Sequence, residues 1–174
     1  MCIIIFFVFV IIGIILLFLF LFPKKFVDEI SKYSREFNLN DYMVASVINI
    51  ESRYDSSAIS SAGAMGLMQL KMTTALDMAN ILGIEIDEKL VYDVDINIRL
   101  GTKYLSYLLD MFDGNETNAL ASYNWGLQNV KDWMAEGNID ESGTIINIPV
   151  KETNNYLKKY KVNRFVYKNI YRCG

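Results

Sequence analysis

Residues 3–22 form an unbroken apolar run of 20 residues, and no other feature limits so strongly what the chain can fold into. As a helix rising 1.5 Å per residue, such a run is about 30 Å long, the thickness of a bilayer's hydrocarbon core. It reads as a single transmembrane anchor over residues 1–23, with a second unit over residues 24–174. A cleaved signal peptide is the competing reading. The apolar region is too long for one, no Ala-x-Ala-like site follows, and Phe22-Pro23-Lys24-Lys25 is a poor place to cut. Lys24 and Lys25 flank the C-terminal side while no Lys or Arg precedes the run, so the charge rule alone places the second unit in the cytoplasm.

Composition narrows the chemistry. The sequence has no histidine, which excludes Ser-His and Cys-His nucleophilic systems and histidine-ligated zinc. Carboxylates, Tyr, Lys and hydroxyls remain for acid or base work. Net charge is −3, with no basic stripe interleaved with aromatics, so nucleic acid is not an expected partner. Cys2 and Cys173 lie on opposite sides of the anchor, and a disulfide between them is not expected.

Beyond the anchor the periodicity is helical. Phe26, Ile30, Tyr33 and Phe37 predict a first helix, and Asn38–Asp41 supplies cap residues for a second. On that second helix Val44, Val47 and Ile48 place Glu51 next on the same stripe, so an acid stands where the period asks for a hydrophobe. Such a Glu is either a boundary residue reaching for water or a desolvated carboxyl whose pKa is raised enough to act as a general acid. The run Ser56–Gly66 that follows is rich in Ser, Ala and Gly, which lets a loop pass close to a ligand. Thr73 or Thr74 is the expected cap of the next helix and Gly83 its stop. Asp93-Val94-Asp95 opens another with Ile98, Leu105, Leu108 and Phe112 facing inward, Asn115–Thr117 caps a helix through Gly126, and Pro149 suits a last helix start. No run shows sustained two-residue alternation, so β-structure is expected to be minor.

Glu51-Ser52, Ala58, Ser60, Gly63-Ala64 and Gly66-Leu67-Met68-Gln69 together resemble the ES...GLMQ signature of the lytic transglycosylase family with the lysozyme-like fold. Ser122-Tyr123-Asn124-Trp125-Gly126 resembles that family's AYNAG motif, with Ser and Trp in place of the two alanines. Ile148-Pro149-Val150-Lys151-Glu152-Thr153-Asn154-Asn155-Tyr156-Leu157 resembles its IP-x-x-ET-R-x-Y-V block, with Asn154 where Arg is usual; the family's usual Pro near Met72 is also missing. The resemblance spans roughly residues 26–167. It implies an all-α, lysozyme-like domain of about six to eight helices behind the anchor, and cleavage of the β-1,4 bond between N-acetylmuramic acid and N-acetylglucosamine in peptidoglycan with formation of a 1,6-anhydro product.

On that resemblance Glu51 is the catalytic residue, and Ser52, Met68, Gln69, Tyr123, Asn124 and Glu152 are expected at the substrate, with Tyr123 hydrogen-bonding the acid. No metal and no cofactor are implied. The expected partners are peptidoglycan glycan strands and, through residues 3–22, the membrane; the substrate outweighs the charge rule and puts the domain outside the cytoplasm. Two other functions stay open: a goose-lysozyme-type muramidase, in which water attacks C1, and a catalytically silent, membrane-anchored peptidoglycan-binding protein.

Overall fold

The computed structural model describes residues 2–173. It begins with α1 (Cys2–Leu21), a helix whose segment Ile4–Leu21 has a mean hydropathy of 3.6 and contains no buried residue, with contact to the rest of the protein only toward its C-terminal end. By length and composition it can cross a membrane. The side chain of Cys2 lies outside the described residues, while Cys173 is a free thiol.

Eight helices follow among the described residues: α2 (Val27–Glu36), α3 (Asp41–Ser52), α4 (Met72–Leu82), the single turn α5 (Glu88–Val91), α6 (Val94–Met111), α7 (Glu116–Trp125), α8 (Leu127–Ala135) and α9 (Lys151–Phe165), the last running into a π-helical turn, Val166–Ile170. The described chain contains no strand, only isolated bridges at Ile59–Met65, Met65–Leu70 and Ile139–Ile145. The domain is therefore all-α, as its periodicity predicts.

α3 is the buried centre. Every residue from Tyr42 to Asn49 is buried, because α2, α9 and the π-helical turn all pack on it. α6 carries the other half of the core, with Ile98, Leu105 and Leu108 fully enclosed and α2, α4, α5 and α7 laid against it. A second, smaller cluster of Ala121, Val130, Ile145 and Ile148 joins α7, α8 and the approach to α9.

Asp93 caps α6 by accepting from the Ile96 amide, and Asn115 caps α7 by accepting from the Asn118 amide. Two boundaries differ from expectation. α4 starts at Met72, so Thr73 and Thr74 lie inside its first turn; the Met65–Leu70 pairing keeps the chain extended to Lys71 and fixes the start there. α9 starts at Lys151, two residues after Pro149. α8 has no counterpart in the sequence reading: Gly126, at φ 99°, ends α7 and starts α8 in one sharp turn.

Candidate active site

Glu51 sits in the last turn of α3, and Val44, Val47 and Ile48 on the same stripe are fully buried. The stripe carries the carboxyl to the edge of the core, where it is only partly exposed. Loss of water raises its pKa from 4.5 to about 7. The buried Tyr156 hydroxyl and the Lys159 ammonium favour the ionised form, and the neighbouring charge of Glu152 disfavours it. Tyr156 has no partner at hydrogen-bonding distance, so it acts on Glu51 as an oriented dipole rather than through a formed bond.

Glu51 lies where two depressions meet. One, of about 320 Å³, runs between the Ser60–Ala64 loop and α7, past Tyr104, Tyr123 and Trp125. The other, of about 750 Å³, continues along the first turns of α9, past Asn155 and Lys158. Ser60, Gln69, Asn124 and Glu152 line both parts with Glu51. Together they form an elongated groove in which a chain-like ligand would pass the acid on both sides.

The loop from Gly66 to Gln69 is held by one buried amide. Asn97, on the first turn of α6, accepts from the Met68 amide at 2.8 Å and donates to the Met65 and Val91 carbonyls at 3.1 and 2.7 Å. A Cβ on Gly66 would come within 2.4 Å of that amide nitrogen, and Gly66 has φ 72°, so only glycine fits. Gly101 makes the matching approach on the other side, where a Cβ would meet the Met68 sulfur at 2.4 Å.

This frame sorts the residues expected at the substrate. Gln69, Tyr123, Asn124 and Glu152 line the groove, while Ser52 and Met68 lie behind it. Ser52 donates to the Leu67 carbonyl at 2.8 Å and ties α3 to the loop. Met68 is fully buried. Gln69, at φ 48°, spends both amide hydrogens on the Ala58 and Gly66 carbonyls, which leaves its carbonyl oxygen for the groove. Asn124 accepts from Thr153 at 2.9 Å, which orients its amide donors.

Tyr123 departs from expectation. Its hydroxyl donates to the Met68 carbonyl at 2.8 Å, so it braces the loop and does not bond the acid. The tyrosine beside Glu51 is Tyr156, which enters the sequence analysis only as a member of the IP-x-x-ET block, with no role at the acid. Its position four residues after Glu152 on a helix was the available signal, since that spacing puts both on one side. Lys159 and Tyr104 were missed as well. Asp55 lies outside the groove lining; its carboxylate accepts from the Ser57 amide and hydroxyl at 2.9 and 2.7 Å, which hold its pKa down.

The sequence profile described as the transglycosylase SLT domain matches residues 28–145. The chain belongs to this family. It is 30% identical over 142 residues to the soluble lytic murein transglycosylase of Salmonella typhimurium, covering 79% of this chain and 22% of that protein. It is also 35% identical over 114 residues to the membrane-bound lytic murein transglycosylase F of Desulfosudis oleivorans, covering 62% of this chain and 23% of that protein. Among solved structures, an inactive Glu-to-Gln mutant of the lytic transglycosylase Slt from Pseudomonas aeruginosa superposes with a TM-score of 0.77 at 26% identity, over 87% of this chain and 25% of that one. The chain thus spans less than a third of the length of each of these relatives. The SLT profile stops before the IP-x-x-ET block. There Asn154, in place of Arg, donates to the Ile148 carbonyl at 2.6 Å and fixes the entry to α9.

Proposed function

We propose that the protein is a peptidoglycan lytic transglycosylase that cleaves the β-1,4 bond between N-acetylmuramic acid and N-acetylglucosamine. The observation that carries this reading is one desolvated carboxyl, Glu51, with a pKa near 7 at the middle of a two-sided groove. Glu51 starts protonated and donates its proton to the leaving glycosidic oxygen as the bond to C1 breaks. The substrate's own acetamido oxygen stabilises the cationic C1. Glu51, now a carboxylate, takes the proton of the O6 hydroxyl as O6 bonds to C1 and closes the 1,6-anhydro ring. Acid and base act in sequence, so one carboxyl serves both steps and no water is consumed.

Gln69, Asn124 and Glu152 are assigned to the sugar hydroxyls and acetamido groups, and Trp125 to a ring face. Ser52, Met68 and Tyr123 are assigned to support of the loop. A hydrolase with two carboxylates needs a second acid across the sugar ring. Asp55 is bound up in its own turn, and Glu152 is exposed at the rim. The inactive Glu-to-Gln mutant of the Pseudomonas relative supports an essential glutamate on this architecture.

The anchor reading is supported by α1 and by the membrane-bound relatives. We place residues 1–23 across the membrane in a single pass and the domain of residues 24–174 outside the cytoplasm, where the substrate lies. Protease added to wall-stripped cells is expected to digest the domain, and full protection until lysis would put it inside. Muropeptides released from purified sacculi by the full chain are expected to carry 1,6-anhydro ends, lighter than hydrolysed ends by one water. Reducing ends would establish a muramidase, and no release with retained glycan binding a silent binding protein.

A further inference from the structure

The exit of α1 is held by the domain. The last carbonyls of a helix have no partner within it and are ordinarily met by water or a cap. Here three successive carbonyls are taken by domain side chains: Leu21 accepts from Asn49 at 2.9 Å, Phe22 from the Tyr171 hydroxyl at 2.7 Å, and Pro23 from the Tyr167 hydroxyl at 2.7 Å. Phe18 meets the edge of the Tyr171 ring, and Lys24 lies over its face. The domain therefore leaves the anchor at a set angle and not on a loose tether.

Beside this joint is a groove of about 390 Å³ between Leu21 and Phe22 of the exit, Asn49 and Ile50 of α3, and Val162 of α9. Its cations are Arg53, Lys158 and Lys159. α9 carries the same pattern onward, since Val162 is 56% and Phe165 62% exposed on one helix face with Lys158. Residues 151–173 hold seven Lys or Arg and one acidic residue, in a chain whose net charge is −3. Exposed apolar side chains flanked by cations, and continuous with the end of a bilayer-spanning helix, match a headgroup region, apolar below and anionic at its surface.

We propose that this face, made by the α1 exit, the end of α3 and the outer side of α9, seats on anionic phospholipid of the bilayer that α1 spans. Arg53 and Lys158 meet lipid phosphates, and Val162 and Phe165 enter the interface. Ile50, Lys158 and Lys159 also line the groove beside Glu51, so seating holds the reactive groove against the membrane surface, where glycan strands closest to the bilayer reach it. The proposal rests on the reading of α1 as an anchor.

The test uses the full chain, with Cys2 and Cys173 replaced by Ser, in nanodiscs of phosphatidylcholine with or without phosphatidylglycerol. Spin labels are placed singly at Phe165, at Ile12 in the anchor, and at Glu141 on the loop that packs on α7 and α8. Their exposure to a water-soluble nickel chelate and to oxygen gives depth. With phosphatidylglycerol, the label at 165 is expected to be shielded from the chelate like that at 12, and the label at 141 to remain open. Arg53→Gln is expected to lower the ratio of seated to unseated molecules about fivefold. A label at 165 as open as that at 141, with Ile12 in hydrocarbon, overturns seating and leaves the anchor standing. Shielding at 165 that ignores phosphatidylglycerol overturns the anionic-lipid assignment. A label at 12 open to the chelate overturns the anchor reading, and the seating falls with it.

Discussion

The two walls of the groove are built differently. The wall of α3, the Gly66–Gln69 loop and α6 is locked: Asn97 holds three backbone groups at once, Met68 is enclosed on every side, and two glycines leave no space for a Cβ. The opposite wall, from Gly126 to the first turn of α9, closes over a small apolar cluster, and the acidic residue it presents to the groove, Glu152, stands exposed. The difference follows from chemistry. A carboxyl is kept protonated near neutrality only where water is reliably excluded, which needs a seat that does not open. A wall that holds sugar by hydroxyl contacts works while exposed to solvent.

The largest expected effect is on turnover. Glu51→Gln removes the only proton donor assigned to the reaction and is expected to lower kcat by about 10³-fold or more, measured on purified sacculi; an activity within tenfold of wild type would break the comparison at its centre. The same variant is expected to gain stability at high pH. Glu51 has a folded pKa raised from 4.5 to about 7, so the pH-dependent cost of its burial is absent below pH 4.5, grows between 4.5 and 7, and levels off above 7. A rise of that size corresponds to about 3 kcal/mol, reduced by the water that reaches the groove side. Urea unfolding at pH 8 is expected to favour Glu51→Gln, and at pH 4 to show no difference.

Matched asparagines compare the walls directly. Asn97→Ala strands the buried Met68 amide and the Val91 carbonyl, while the Met65 carbonyl keeps the Leu70 amide, and is expected to cost about 3 kcal/mol, whereas Asn154→Ala, with one close bond on the second wall, is expected to cost about 1 kcal/mol. Equal losses in thermal or urea unfolding would remove the distinction between a locked and an open wall.

Much of the first wall was legible before any coordinates. The helical stripe through Val44, Val47 and Ile48 pointed the carboxyl of Glu51 toward the core, and Asp93 and Asn115 cap helices as their residue types suggest. Less was legible where contacts link residues far apart in the chain. Tyr123 bonds Met68 and not Glu51, and Tyr156 reaches Glu51 only because α9 packs on α3 more than a hundred residues away. Ser52 fits its motif, yet its hydroxyl is used on Leu67, a partner that no spacing rule supplies. α8 escaped notice because a single glycine at φ 99° turns one helix into the next.

The smallest effects belong to the other acids. Glu152→Gln is expected to retain turnover, lowered about tenfold or less, and to shift the pH limb of Glu51 downward because a neighbouring negative charge is gone. Asp55→Asn is expected to match wild type within about threefold, since its carboxylate serves only its own turn. An Asp55→Asn variant as inactive as Glu51→Gln would favour the two-carboxylate hydrolase over the transglycosylase.

The central claim is that burial at the edge of the core keeps one carboxyl, Glu51, protonated at the working pH. Titration of the full chain labelled with ¹³C at Glu side chains, in detergent, isolates Glu51 as the resonance absent from Glu51→Gln. A midpoint near pH 7 is the predicted result; a midpoint near 4.5, the value of a solvated glutamate, would contradict it.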